Sequence, residues 1–248
     1  MLYKSDKDYK LVWSDEFDGP EIDRNTWGYE IGYVRNNELQ DYTDAPENSY
    51  IENGCLVIES IKTGDPKRPY TSASLNTLGK KEFLYGKLEM RAKLPFGQGI
   101  WPAFWTLGVD IETNPWPACG EIDIMELVGG TNKTFATCPF EDHMGNDVCQ
   151  ATIHYPNEKK ALQRALELKD GNFCDDFHIF GIEWTENCIK AYVDNIIYNK
   201  LDITDIPAFH RPHYVLVNTA IGGGWPGDPD ETTIFPQKYY IDWIRYYK

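Results

Sequence analysis

No apolar run in this sequence approaches the roughly 20 residues that a membrane-spanning helix requires, so no membrane segment is expected. Positive charge is also scarce: 24 Lys and Arg stand against 39 Asp and Glu, a formal net charge of −15. Nucleic acids and anionic membranes are held by basic faces, so neither is expected as a partner, whereas a neutral polymer is indifferent to that charge. The six cysteines, Cys55, Cys119, Cys138, Cys149, Cys174 and Cys188, include no Cys-x-x-Cys pair, which argues against a zinc site. The glycine run Gly222-Gly223-Gly224 is followed by neither Lys-Ser nor Lys-Thr, which removes a phosphate loop. Met1 to Ser5 lack the apolar core of a secretion signal. Internal repeats, linkers and low-complexity tracts are missing too, and a single domain over residues 1–248 is expected.

What the sequence does hold is alternation. Cys55-Leu56-Val57-Ile58-Glu59-Ser60, Tyr85-Gly86-Lys87-Leu88-Glu89-Met90-Arg91-Ala92 and Ile189-Lys190-Ala191-Tyr192-Val193-Asp194 change polarity with period two. Turn clusters such as Asp18-Gly19-Pro20, Glu52-Asn53-Gly54 and Thr63-Gly64-Asp65-Pro66 separate such runs, so the chain reads as an all-β, antiparallel two-sheet sandwich. One stretch, Asn157 to Lys169, places Leu162, Ala165, Leu166 and Leu168 near helical spacing; a strand over Ala165–Lys169 leading to an Asp170-Gly171 turn reads equally well. An even cysteine count suits disulfides in an oxidising compartment, with Cys138 to Cys149 as one candidate bridge, and six free buried thiols are the alternative.

The most informative segment is Gly120-Glu121-Ile122-Asp123-Ile124-Met125-Glu126. In a strand, successive side chains point to opposite faces, so Glu121, Asp123 and Met125 share one face and Glu126 falls on the other. A β-bulge at or beside Met125 returns Glu126 to the face of Glu121 and Asp123, and bulges concentrate beside active sites because they re-aim side chains. Neighbouring carboxylates repel and raise one another's pKa, a cost that retaining glycoside hydrolysis puts to use. One ionised carboxylate attacks, and a second, protonated one serves as acid and then base. The expected roles are Glu121 as nucleophile, Glu126 as acid/base and Asp123 as the partner that holds their pKa values apart. The same spacing also suits an exposed edge strand with solvated acids. Upstream, Trp101-Pro102-Ala103-Phe104-Trp105 and Trp116-Pro117 supply broad aromatic faces, which suit sugar rings as well as they suit a core.

The Trp101–Trp105 run, the Gly120–Glu126 segment and Asn37-Glu38-Leu39-Gln40-Asp41-Tyr42-Thr43 together resemble family sixteen of the glycoside hydrolases, in its laminarinase-like branch. Leu11-Val12-Trp13-Ser14-Asp15-Glu16-Phe17, Phe177-His178-Ile179-Phe180-Gly181-Ile182-Glu183-Trp184-Thr185 and Asn218-Thr219-Ala220-Ile221-Gly222-Gly223 are similar to further landmarks of that family, in family order. The resemblance covers nearly the whole chain, least typically over residues 131–175. It implies a jelly roll with a concave substrate-binding cleft. It also implies that Asn37, Arg91, Trp101, Trp105, Trp116, His154 and Trp225 touch sugar. The methionine inserted in the acidic motif points to β-1,3-glucan, since lichenase-like relatives carry an uninterrupted Glu-x-Asp-x-Glu. A structural Ca²⁺ held by Glu16, the Gly54 carbonyl and Asp242 is implied as well, far from the acids.

The expectation is therefore a retaining endo-hydrolase of β-1,3-glucan, with mixed β-1,3-1,4-glucan as a further substrate. It would need no cofactor for catalysis, act as a monomer and work outside the cell. The alternatives are a glucan-binding protein on the same sandwich and a hydrolase or transglycosylase of another glycan.

Overall fold

The computed structural model describes residues 7–130, 144–156 and 162–248. Among these residues the only helical segment is a short 3-10 turn, Pro207–His210, and the chain is otherwise strands and turns. One sheet has seven strands in the spatial order β12 (Leu162–Glu167), β11 (Val148–His154), β10 (Glu121–Glu126), β9 (Ile100–Gly108), β16 (His213–Ile221), β7 (Ser74–Asn76) and β2 (Gly28–Glu30). The other runs β15 (Ile196–Asp202), β14 (Cys188–Val193), β13 (His178–Trp184), β8 (Gly86–Lys93), β17 (Gln237–Tyr247), β5 (Cys55–Asp65), β6 (Arg68–Ser72) and β3 (Gln40–Tyr42). To this second sheet β1 (Leu11–Asp15) adds on β17, and β4 (Ser49–Glu52) on β5. The pairings are antiparallel, as the alternation predicts, apart from a short parallel contact of β3 with β6.

One apolar cluster joins the two sheets. Phe104, Ile122, Ile124, Ile153, Val215 and Val217 from the seven-stranded sheet meet Leu56, Ile58, Leu88, Met90, Phe180, Ile182 and Ile241 from its partner. On β16 the period-two rule is plain: Val215 and Val217 enter this core, while Tyr214, Asn218 and Ala220 face the opposite side and line a cleft. That outer face of the seven-stranded sheet carries the cleft.

One open alternative is decided here, and one expectation needs correction. Residues 162–167 form strand β12, paired with β11 from Val148↔Glu167 to Ile153↔Leu162, and not a helix. Pairing with the edge of β11 satisfies the backbone and lets Leu166 and Leu168 pack on the core, which outweighs a weak helical spacing. Residues 157–161 lie outside the described set. The candidate Cys138–Cys149 bridge also falls partly there, at Cys138; Cys149 is a free buried thiol beside the Tyr198 hydroxyl at 3.5 Å. The other described cysteines, Cys55, Cys119, Cys174 and Cys188, are free as well.

Entry into β10 depends on Gly120, whose φ is +82°. A Cβ there would lie 2.9 Å from the Ala208 Cβ and 3.1 Å from the Phe209 ring. Gly120→Ala should therefore lower stability by more than about 2 kcal/mol, the left-handed strain plus a clash with a packed turn. A urea midpoint equal to that of the parent chain would contradict this.

Candidate active site

The acidic strand β10 carries an extra residue. Against β9 its register runs Glu121↔Leu107, Ile122↔Thr106 and Asp123↔Trp105, then jumps to Met125↔Phe104 and Glu126↔Ala103. Against β11 the pairs are Glu121↔His154, Asp123↔Thr152 and Glu126↔Gln150, so three steps of β10 span two of its neighbour. Ile124 is the surplus residue. Directly paired residues point to the same face, so the bulge sends Ile124 and Met125 into the core and brings Glu126 round beside Glu121 and Asp123. Without it, Met125 would occupy that face.

Glu121, Asp123 and Glu126 line one cleft of about 460 Å³, together with Trp101, Trp105 and Trp116. The acids are not solvated: Asp123 is 4% exposed and Glu126 7%. Each has defined company. The Trp101 indole N–H donates to Glu126 Oε1 at 3.1 Å, and the Thr152 hydroxyl donates to its Oε2 at 3.2 Å. His154 Nε2 lies 3.2 Å from Asp123 Oδ2 and 3.7 Å from Glu121 Oε1. The Trp116 ring stands 5.8 Å from the His154 ring, centroid to centroid. Asp123 Oδ2 is buried without a well-aligned hydrogen bond.

Burial sets the electrostatics of this patch. Loss of water pushes Glu121 up to about 8, helped by the Asp123 charge and opposed by His154. Asp123 rises for the same first reason. Burial also takes Glu126 well above the carboxylate range, with Asp123 adding to the rise. Removing all three protons would place three negative charges in a poorly solvated wall, so the cluster retains protons under conditions where ordinary carboxylates have lost theirs. A site that holds one carboxyl protonated beside one that can ionise can run acid and nucleophile chemistry together.

A sequence profile described as "Glycosyl hydrolases family 16" matches residues 18–245. The chain belongs to glycosyl hydrolase family 16. Its fold closely follows the laminarinase catalytic domain from Thermotoga maritima MSB8, with 44% identity and a TM-score of 0.86 over 98% of this chain and 99% of that one. A beta-glucanase from Rhodothermus marinus is 37% identical over 99% of this chain and 88% of its own length. The glucan endo-1,3-beta-glucosidase A1 of Niallia circulans is 33% identical over 96% of this chain, which spans only 38% of that longer protein.

In this family 16 chain the remaining predicted contact residues divide. Trp101 and Trp116 line the cleft, and Trp116 is 54% exposed, open to a ligand. Trp105 lines it too, but is buried, with the Arg35 guanidinium 5.0 Å above its ring and its own N–H donated to Asn218 Oδ1 at 2.8 Å. His154 stands beside the acids without forming a wall of the cleft. Trp225 backs Trp101 edge-on at 5.1 Å and packs with Val128 and Met144, so it supports that ring from behind.

Asn37 is exposed and outside the cleft, whereas its neighbours Asn36 and Glu38 line it. Its φ of 53°, following Asn36 at 55°, marks a tight left-handed turn that swings Asn37 away. Arg91 is on the wrong sheet. It lies on β8, sharing a face with Lys87, Glu89 and Lys93, and it donates to Asp242 Oδ2 at 2.5 Å while sitting 4.6 Å from the Phe177 ring. Period-two alternation already places it opposite Leu88, Met90 and Ala92, which face the core.

The expected calcium ligands do not fit a cation as arranged. Glu16 receives two hydrogen bonds from Arg245, at 3.0 and 2.8 Å, and Asp242 is held by Arg91. Both carboxylates already have guanidinium partners, and a divalent ion would have to displace them.

Sequence reading missed Glu30, Arg35, Tyr214 and Asn218 as cleft residues. The signal for Tyr214 and Asn218 was present in the alternation of β16. That for Glu30 and Arg35 was not, because β2, which carries Glu30, is only three residues long and the turn after it places Arg35.

Deleting Ile124 should restore a regular ladder, return Glu126 to the core side and abolish hydrolysis, while Ile124→Val, costing about 0.5–1.5 kcal/mol, should leave the reaction intact. Turnover surviving in a folded deletion variant would show that the bulge does not position Glu126.

Proposed function

We propose that this protein is a retaining endo-hydrolase of β-1,3-glucan that also accepts mixed β-1,3-1,4-glucan. The observation that carries the reading is the bulged strand, which brings Glu121, Asp123 and Glu126 to one cleft wall beside Trp101, Trp105 and the exposed Trp116. Glu121 attacks the anomeric carbon of the bound sugar. Glu126 gives its proton to the departing glycosidic oxygen, then removes a proton from the water that releases the glycosyl-enzyme. Asp123 shares a proton with Glu121 and limits the repulsion as Glu121 ionises. Trp101 holds Glu126 by its indole N–H and offers its ring to the sugar. Retention is the expected outcome because the second carboxyl is a nucleophile and not the base for an attacking water.

Family membership supports glycan hydrolysis, and the likeness to laminarinase and beta-glucanase relatives supports the linkage. A polysaccharide too large to cross a membrane is met outside the cell, so secretion belongs to the same proposal. A monomeric state belongs to the same proposal. A glucan-binding protein without catalysis has no use for three poorly solvated carboxyls on one face, two of them buried, whose desolvation weakens the fold.

Incubation with laminarin, barley mixed-linkage glucan, agarose and xyloglucan tests the reading. Short oligosaccharides should appear from laminarin and barley glucan, and proton NMR should show the β anomer first. Glu121→Gln should abolish release, and Glu126→Gln should slow it by about 10²–10⁴-fold. Initial α product, or full activity of Glu121→Gln, would reject the mechanism. The pH dependence carries a sign as well. Catalysis needs Glu121 ionised, and burial raises its pKa, so the acid limb of kcat/KM should be centred well above the ordinary value of 4.5. A limb at or below 4.5 would show that Glu121 is not the group that must ionise.

A further inference from the structure

The buried state of Trp105 calls for a physical explanation. It lies on the cleft face beside Asp123, as its register shows, yet only 7% of it is exposed. The covering group is Arg35. Its guanidinium sits over the indole at 5.0 Å, and its Nη2 forms a tight ion pair with Glu30. Glu30 is itself fixed, because the Ser74 hydroxyl donates to its other oxygen at 2.6 Å. The turn that carries Arg35 is fixed as well: Leu39 N–H donates to Ile221 O at 2.7 Å, and Gly224 N–H donates to Asn36 O at 3.2 Å. Glu38, in the same wall, accepts from Gln40 at 2.6 Å and adds a second acidic neighbour.

Arg35 is therefore no swinging lid. Among the described residues the one hydrogen bond of its side chain is that to Glu30, and no guanidinium nitrogen is buried without a partner. A planar guanidinium has five donors in a fixed fork, and a hexose presents hydroxyl pairs that such a fork matches.

Resting on the glucan-hydrolase reading above, we infer that Arg35 is a specificity-determining residue. It replaces ring stacking on Trp105 with directed hydrogen bonds to the hydroxyls of a neutral sugar unit bound on the β9–β16 side of the acids. The neutral class follows from the local charge, since Glu30 and Glu38 flank the one cation and disfavour a carboxylated or sulfated sugar. Linkage is read at the same place, because a fork held at a fixed height over Trp105 meets hydroxyls only where the chain turns as its bonds dictate.

The test compares the parent chain with Arg35→Ala and Arg35→Lys on laminarin-derived oligosaccharides of increasing length and on barley glucan, with circular dichroism to verify folding. The parent chain must first cleave laminarin; if it does not, the glucan reading fails before Arg35 is tested. Given that cleavage, Arg35→Ala should lower kcat/KM on long oligosaccharides by about 10- to 100-fold, the worth of hydrogen bonds from a charged donor. The loss should grow with chain length, rise chiefly through KM and shift the ratio of laminarin to barley-glucan turnover. Lysine should not restore it, because it keeps the charge but not the fork. An equal loss at every length would mark a merely structural role and overturn the inference. A gain would identify Arg35 as an obstruction over a stacking platform, and a loss confined to carboxylated or sulfated glycans would identify charge recognition; either also overturns it.

Discussion

One surplus residue in a central strand governs this molecule. Strand geometry alone divides Glu121 and Asp123 from Glu126, and it would put Met125, an apolar side chain, against the substrate. The register jump at Ile124 exchanges them, giving the core two apolar residues in succession and the cleft a third acid. The bulge is stable because both products of the exchange are well placed: Ile124 and Met125 are fully buried, and Glu126 finds the Trp101 and Thr152 donors. Flanking strands β9 and β11 hold the distortion on both sides, so the re-aimed carboxyl is rigid.

Burial of these acids follows from the same arrangement and is what gives them their chemistry. A carboxyl moved out of water resists ionisation, and its resistance grows when another negative charge is near. Solvated on an edge strand, the three would be spectators. Walled by tryptophans, they hold protons above the ordinary carboxylate range, which lets one serve as acid while its neighbour becomes the nucleophile. The structure elsewhere avoids such costs by pairing. Glu16 meets Arg245, Asp242 meets Arg91 and Glu30 meets Arg35, so unpaired buried charge is concentrated where the reaction uses it.

Much of this was legible in the chain. Alternation in Tyr85–Ala92 and Cys55–Ser60 predicts strands β8 and β5, and the misfit of Glu126 to the period predicts the bulge. Two assignments rested on family likeness alone. Arg91 was assigned to the cleft by family likeness although its own alternation puts it outward on the other sheet. The calcium set was likewise carried over without the arginines that take its carboxylates. Asn37 failed because a left-handed turn, invisible to polarity patterns, decides which of three neighbours faces the cleft. Of the two readings open for residues 157–169, the strand holds over residues 162–167, because tertiary pairing outweighs weak helical spacing in so short a segment. Arg35 was out of reach altogether, since nothing local in Val34-Arg35-Asn36 says that it will lie on a tryptophan seventy residues away.

The central claim is that Glu121 is the group that bonds to sugar. Inactivation with a β-1,3-linked glucan disaccharide bearing an epoxyalkyl aglycone, followed by peptide mass spectrometry, tests it directly. The account predicts one equivalent of label on Glu121, with loss of activity in step with labelling. Label on Glu126 or Asp123 in its place, or full inactivation without any label on β10, would contradict it.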